Sequence, residues 1–157
     1  MKVQTSRFGE IEVEDSSVIR MPRGPVGFEQ YTQFVAVEHR PDTDFHWLQS
    51  TEEPSLAFVV VDPSKFYTDY EVEISDADAE KLGLASEDDA SVMVVVSVAK
   101  GGEEITANLA APVVINMKEM LGLQVILQDN RYPIKHPLVA IIQKCAEKTE
   151  QTTVKAA

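Results

Sequence analysis

Between Glu104 and Asn116 the chain changes its hydrophobic period, and that change limits what it can fold into. Ile105, Ala107 and Leu109 alternate with Thr106 and Asn108, the pattern of a strand buried on one face. After Ala111-Pro112 the alternation gives way to the unbroken apolar run Val113-Val114-Ile115. Pro112 has no backbone donor and cannot sit inside a central ladder, so it marks an edge, a bulge or a bend. The stretch reads as one long strand bent at the proline, passing from a one-sided sheet into a core. A β-sandwich turns its corners, or a barrel closes, with strands of this kind.

The flanking sequence repeats the strand signal. Residues 2–14 read as two short strands around Gly9, with Glu10, Glu12 and Glu14 opposite Ile11 and Val13. Val18–Met21 and Phe34–Val37 are short strands, separated by a turn-rich loop and one helical turn at Phe28–Tyr31. Phe45–Ser50 and Leu56–Val61 pair as a hairpin through Glu52-Glu53-Pro54-Ser55. Tyr70, Val72 and Ile74 alternate inward against Asp69, Glu71 and Glu73. At Ser75 the period becomes helical: Ser75 caps, Asp78 follows three residues on, and Gly83 suits the stop, giving a helix over 76–82. Ser91–Ala99 is a strand, as is Leu123–Gln128, and residues 129–137 form an irregular loop. A helix over 138–148 and a strand at 138–142 both fit the pattern that follows. About nine short strands imply a mostly β chain: a single-domain antiparallel barrel-like or sandwich fold with one or two short helices, spanning 1–148, with a flexible tail at 149–157.

Composition narrows function. The 157 residues carry 26 Asp plus Glu against 14 Lys plus Arg, a net charge of −12. Such a chain repels phosphate backbones and anionic lipid, so no direct nucleic-acid or membrane partner is expected, and basic partners are favoured. Cys145 is the one cysteine, which excludes an internal disulfide and a thiolate metal cluster. With neither a signal peptide nor an apolar run near ~18 residues, a cytoplasmic location is expected. His39, His46 and His136 show no metal-ligand spacing, and no nucleophile elbow, phosphate loop or dinucleotide fingerprint is present. No cofactor, no metal and no catalytic residue are expected. The competing reading is a small β-barrel enzyme or ligand carrier with a carboxylate-lined pocket, since acidic residues abound.

Acidic rows are the most informative surface feature. Carboxylates on one strand face lie about 7 Å apart, inside the ~8–10 Å screening length at ordinary salt, so their potentials add. The candidate partner-binding set is Asp69, Glu71 and Glu73, with Glu52, Glu53, Glu87, Asp88 and Asp89 nearby. The same charges also serve to keep edge strands from pairing with other chains. Phe8, Phe28, Tyr31, Phe66 and Tyr67 stand at loops or strand ends; they line an apolar groove or fill the core.

Several stretches together resemble one family, the bacterial flagellar assembly factor FliW. They are Gln4-Thr5-x-x-Phe8-Gly9, Gly27-Phe28-Glu29, Phe45-His46-Trp47-Leu48-Gln49-Ser50, Leu56-Ala57-Phe58-Val59-Val60, Asp62-Pro63, Thr106-Ala107-Asn108-Leu109-x-Ala111-Pro112-Val113-Val114-Ile115-Asn116 and Tyr132-Pro133-Ile134-Lys135-His136-Pro137-Leu138. The ordered set covers the chain to about residue 140. Gly24-Pro25-Val26-Gly27 departs from the family's usual Gly-Leu-Pro-Gly. The resemblance implies a non-catalytic cytoplasmic binding protein with a compact barrel-like fold. It further implies two partners: flagellin, and the carbon storage regulator CsrA, a small basic RNA-binding dimer. In the family, flagellin occupies FliW; its export frees FliW to sequester CsrA and relieve repression of flagellin mRNA. The motif residues Asn108, Asn116, Tyr132 and His136 are then binding groups or structural ones, with Asn116 leaning structural.

Overall fold

The computed structural model describes residues 1–38, 45–67, 69–99, 104–127, 132–138 and 153–156. The chain opens with an antiparallel hairpin, β1 (Lys2–Thr5) and β2 (Gly9–Glu12). Thr5 closes its turn: the hydroxyl donates to the Gly9 carbonyl at 2.8 Å and accepts from the Phe8 amide at 2.8 Å. Then come β3 (Ile19–Arg20), β4 (Gln33–Glu38), β5 (Phe45–Ser50), β6 (Ala57–Val61) and β7 (Glu71–Ile74). The helix α1 (Asp76–Leu82) precedes the long β8 (Ala90–Ala99). The remaining strands are β9 (Glu104–Ala107), β10 (Val113–Asn116), β11 (Leu121–Gln124), β12 (His136–Pro137) and β13 (Thr153–Ala156). The mostly β, barrel-like architecture expected from the strand pattern is present.

The main sheet closes on itself. Pairing runs β10-β11-β3-β4-β5-β6-β8, and β8 returns to β10, leaving β9 and β12 as an extension beside the ring. The ring contacts are antiparallel except β11 with β3, joined in parallel at Leu121 and Arg20. Closure removes the exposed edges that an open sheet would offer to other chains.

The stretch around Pro112 is not one bent strand. β9 and β10 both pair with β8, at Val96↔Ala107 and Met93↔Val113, so Asn108 to Pro112 stand opposite only Val94 and Val95. The surplus loops out because its backbone groups find partners elsewhere. The Asn108 side chain accepts from the Ala110 amide at 3.1 Å, Leu109 N–H donates to the Pro133 carbonyl, and Pro112 accepts from Val125. Leu109, fully buried, anchors the excursion.

Strand alternation sorts the interior into two cores. Ile19, Phe34, Leu48, Val60, Val113 and Ile115 face the inside of the ring. Their neighbours Val61, Val92, Val94, Val96, Val114 and Leu123 face out and are covered by β7, α1 and the aromatic segments. The hairpin β1–β2 lies near the turn after β5, where Ser6 N–H donates to the Pro54 carbonyl; Phe8 meets Trp47 edge-on at 6.0 Å, and the Arg7 guanidinium sits 4.3 Å over the indole.

Residues 28–31 form successive turns rather than a helical turn, with Phe28 N–H on the Pro25 carbonyl and Tyr31 N–H on that of Phe28. Gly24 makes this loop possible. A Cβ there would stand 2.2 Å from the Tyr31 carbonyl oxygen and 2.3 Å from that of Phe28, both backbone atoms that cannot swing aside. Gly24→Ala is therefore expected to lower stability by about 2 kcal/mol. Denaturant melts check it, with Gly9→Ala as a comparison whose cost comes only from its positive φ of 67°.

Two expectations concern the C-terminus. The proposed helix over 138–148, and with it Cys145, lies outside the described residues apart from Leu138, which is buried with its N–H on the Ile105 carbonyl. The segment expected to fray contains β13, which pairs in parallel with β7 from Thr153↔Glu71 to Ala156↔Ile74. Thr-Val-Lys-Ala carries too little pattern to announce a strand; the open ladder of β7 supplies what the local sequence lacks.

Candidate partner-binding surface

β7 and α1 present the anionic surface. Tyr70, Val72 and Ile74 are buried, and the alternation turns Glu71 and Glu73 the other way, Glu73 exposed and Glu71 half-buried. Ser75 then starts α1: its hydroxyl accepts from the Asp78 amide at 3.1 Å, as the spacing implies. Gly83 ends the helix in the left-handed region at φ 62°. Asp76 and Asp78 fall in the first turn, where the helix dipole favours negative charge. Asp76 and Glu80 are exposed and stand four apart, on one helix face, continuing the charge of Glu73. Neither was in the candidate set, although Asp76 belongs to the acidic first turn.

Asn116 holds this unit to the ring. It is buried, its Nδ2 donates to the Leu82 carbonyl at 2.8 Å and the Gly83 carbonyl at 3.2 Å, and its Oδ1 accepts from the amides of Lys118 and Glu119. One side chain thus joins the end of α1 to the turn between β10 and β11, a structural role.

The rest of the acidic set does not assemble on one face. Asp69 is exposed in a left-handed conformation, φ 59°. Glu87–Asp89 form a short turn ahead of β8, packed near β13 and so on the β7 side. Asp88 is exposed there, whereas Asp89 is largely covered and ion-paired with Lys118 at 3.1 Å. Glu52 and Glu53 lie in the turn ahead of β6, at the end of that strand opposite Val61, while the Glu87–Asp89 turn adjoins the Val61 end. The expectation that they sit near β7 is corrected. Glu52 accepts from the Thr32 and Gln33 amides at 2.7 and 3.1 Å, and Glu53 from Ser55. Gln49, absent from the candidate set, fastens the same turn: fully buried, it donates to the carbonyls of Ser50, Pro54 and Leu56.

The aromatic candidates do not line one groove. Phe8 packs on Trp47, while Phe28 meets Phe58 edge-on at 5.5 Å and Tyr31 packs against the inner core. Phe66 and Tyr67 belong to a third place, an aromatic cluster with Tyr70, Tyr132 and His136. Within it the Tyr70 hydroxyl donates to the Leu109 carbonyl, and burial pushes that phenol far above its ordinary range. Tyr132 accepts from the Glu71 amide at 2.9 Å, and His136 stacks on Phe66 with its basicity lowered by desolvation. Tyr132 and His136 are therefore occupied in holding β7 and β12. Aromatic size identified them as large apolar groups but not whom they pack against.

Among the described residues no group of His, Cys, Asp and Glu could hold a metal ion. A surface hollow of about 410 Å³ includes Asp15, Arg20 and Glu119, with Asp15 exposed to water. The cavity inside the ring has no carboxylate on its wall.

Comparison with known proteins gives this arrangement its context. The family model described as FliW protein matches residues 2–138. The chain belongs to the FliW family. It is 43% identical over 155 residues to the flagellar assembly factor FliW of Alkaliphilus metalliredigens, covering 98% of this chain and 95% of that one. The flagellar assembly factor FliW of Geobacter sulfurreducens is 42% identical, over 87% of this chain and 86% of its own. A crystal structure of the flagellar assembly factor FliW superposes with a TM-score of 0.80 at 37% identity, covering 88% of this chain and 96% of that chain. No described helix of this FliW-family chain is long and apolar enough to cross a membrane.

Proposed function

We propose that this chain is a non-catalytic binding protein of flagellar assembly, acting in the cytoplasm. It binds flagellin and, when free of it, CsrA, whose repression of flagellin mRNA it thereby antagonises. The observation that carries the reading is the family match over residues 2–138, in a chain of net charge −12 whose exposed acids include Glu73 on β7 and Asp76 and Glu80 on α1. A surface of that sign repels RNA and attracts a basic RNA-binding protein, and it accelerates their encounter. Exchange between two partners needs competition by mass action, with affinities near cellular concentrations. If CsrA is inhibited away from its RNA surface, the chain must bind its RNA-incompetent state more tightly.

Reversing the acidic row tests the CsrA surface. Glu71→Lys with Glu73→Lys is expected to slow association with CsrA about tenfold at low salt and to flatten its salt dependence. Glu12→Lys with Glu14→Lys, at the end of the N-terminal hairpin, leaves both nearly unchanged. Stopped-flow association at several ionic strengths reads the effect; a β7 double variant that folds and associates like the parent overturns this assignment of the surface.

A further inference from the structure

The closed ring encloses a cavity of about 390 Å³, within the range of small-molecule sites. Its wall takes a residue from each of six ring strands, β3, β4, β5, β6, β8 and β10. On β11 the inward position is Gly122, where a Cβ would stand 3.1 Å from Ile19 Cγ2. Polarity along the cavity is ordered. Ile19, Leu48, Val60, Val113 and Ile115 form its body and are buried. The polar members Ser17, His46 and Ser91 each lie two residues from an apolar lining neighbour on the same stretch of chain, at Ile19, Leu48 and Met93.

Register places all three at one end. His46 pairs with Val60 near the close of β6, Ser91 sits at the start of β8 beyond Val61↔Val94, and Ser17 precedes Ile19, whose partner Phe34 runs on toward Ala36. Ala36 and Met117 line the cavity yet are exposed, so this end is its mouth. His46 Nδ1 is buried and has no hydrogen-bond partner among the described residues, so that nitrogen is not committed to holding the fold. Met93, Met117 and Met120 complete the wall, and unbranched thioethers adapt to guests of varied shape.

We infer that the ring interior is a binding site for a small amphipathic molecule, its apolar body among the aliphatic residues and a neutral polar head at the Ser17–His46–Ser91 end. The net charge of −12 disfavours an anionic head. This site is separate from the acidic β7–α1 surface and stands or falls independently of the partners proposed above.

Titration of the chain with 2-naphthol tests it, with methionine methyl groups labelled for NMR. Saturable binding of one 2-naphthol per chain is expected, shifting the Met93, Met117 and Met120 methyls and leaving Met1 still. 2-Naphthoate is expected to bind at least about tenfold more weakly, because its carboxylate loses solvation at the mouth. Ala36→Phe, which fills the mouth, abolishes binding; Ser91→Val weakens 2-naphthol severalfold and covers the case in which Ala36→Phe does not fold. Phe28→Ala, outside the cavity, changes nothing. Non-saturable binding, shifts spread beyond the three lining methionines, equal affinity for naphthoate, or indifference to both mouth variants would each overturn the inference.

Discussion

Asn116→Ala is expected to lower unfolding free energy by about 3–5 kcal/mol, since each buried group left without its partner costs about 1–3 kcal/mol. The side chain serves two carbonyls at the end of α1 and two amides in the turn after β10, and is itself 1% exposed. Removing it orphans all four groups and unfastens α1 from the ring. Asn116→Asp discriminates between the two halves of that role. The carboxylate keeps both acceptor contacts but faces the Leu82 and Gly83 carbonyls with no donor, so Asp is expected to be nearly as damaging as Ala. Guanidinium melts of the three proteins check this; a loss under about 1 kcal/mol for Ala would show that the site relaxes and the clamp is dispensable.

Tyr70→Ala is expected to have a comparable effect, about 4 kcal/mol, from the cavity left by a fully enclosed ring. Tyr70 is 1% exposed, packs edge-on against Tyr132 at 4.7 Å and Tyr67 at 5.9 Å, and donates to the Leu109 carbonyl in the excursion between β9 and β10. Tyr70→Phe separates packing from hydrogen bonding. It keeps the ring and strands the carbonyl, for an expected loss of about 1–3 kcal/mol. Since β7 carries the acidic row, Tyr70→Ala is also expected to raise amide exchange along Glu71–Ile74 more than in β5. Uniform exchange across the two strands would mean that Tyr70 supports the whole ring rather than β7.

The β7–α1 unit was legible because every signal in it is local. Alternation sets Tyr70, Val72 and Ile74 inward, Ser75 reaches an amide three residues away, and Gly83 takes a conformation that side chains resist. Ring closure was not legible, because the β8–β10 and β11–β3 contacts depend on pairings between remote segments. The excursion at Asn108–Pro112 was half legible: Pro112 announced a break, but the partners that make it a loop, Pro133 and Val125, lie elsewhere in the chain.

The candidate surface divides the same way. Charge and alternation picked out Glu71 and Glu73, whereas the internal work of Glu52 and Asp89 rests on Thr32, Gln33 and Lys118, which no spacing rule connects to them. The aromatic candidates fall in three separate places because size indicates burial but not location. The cavity left no trace in sequence, since its wall takes one or two inward residues from each of several strands.

Size-exclusion chromatography of the chain with flagellin and CsrA, alone and together, tests the exchange of partners directly. A stoichiometric complex with each partner is expected, with release of CsrA from its complex as flagellin is added. A chain that elutes alone in the presence of both, at concentrations where each partner is folded, would contradict it.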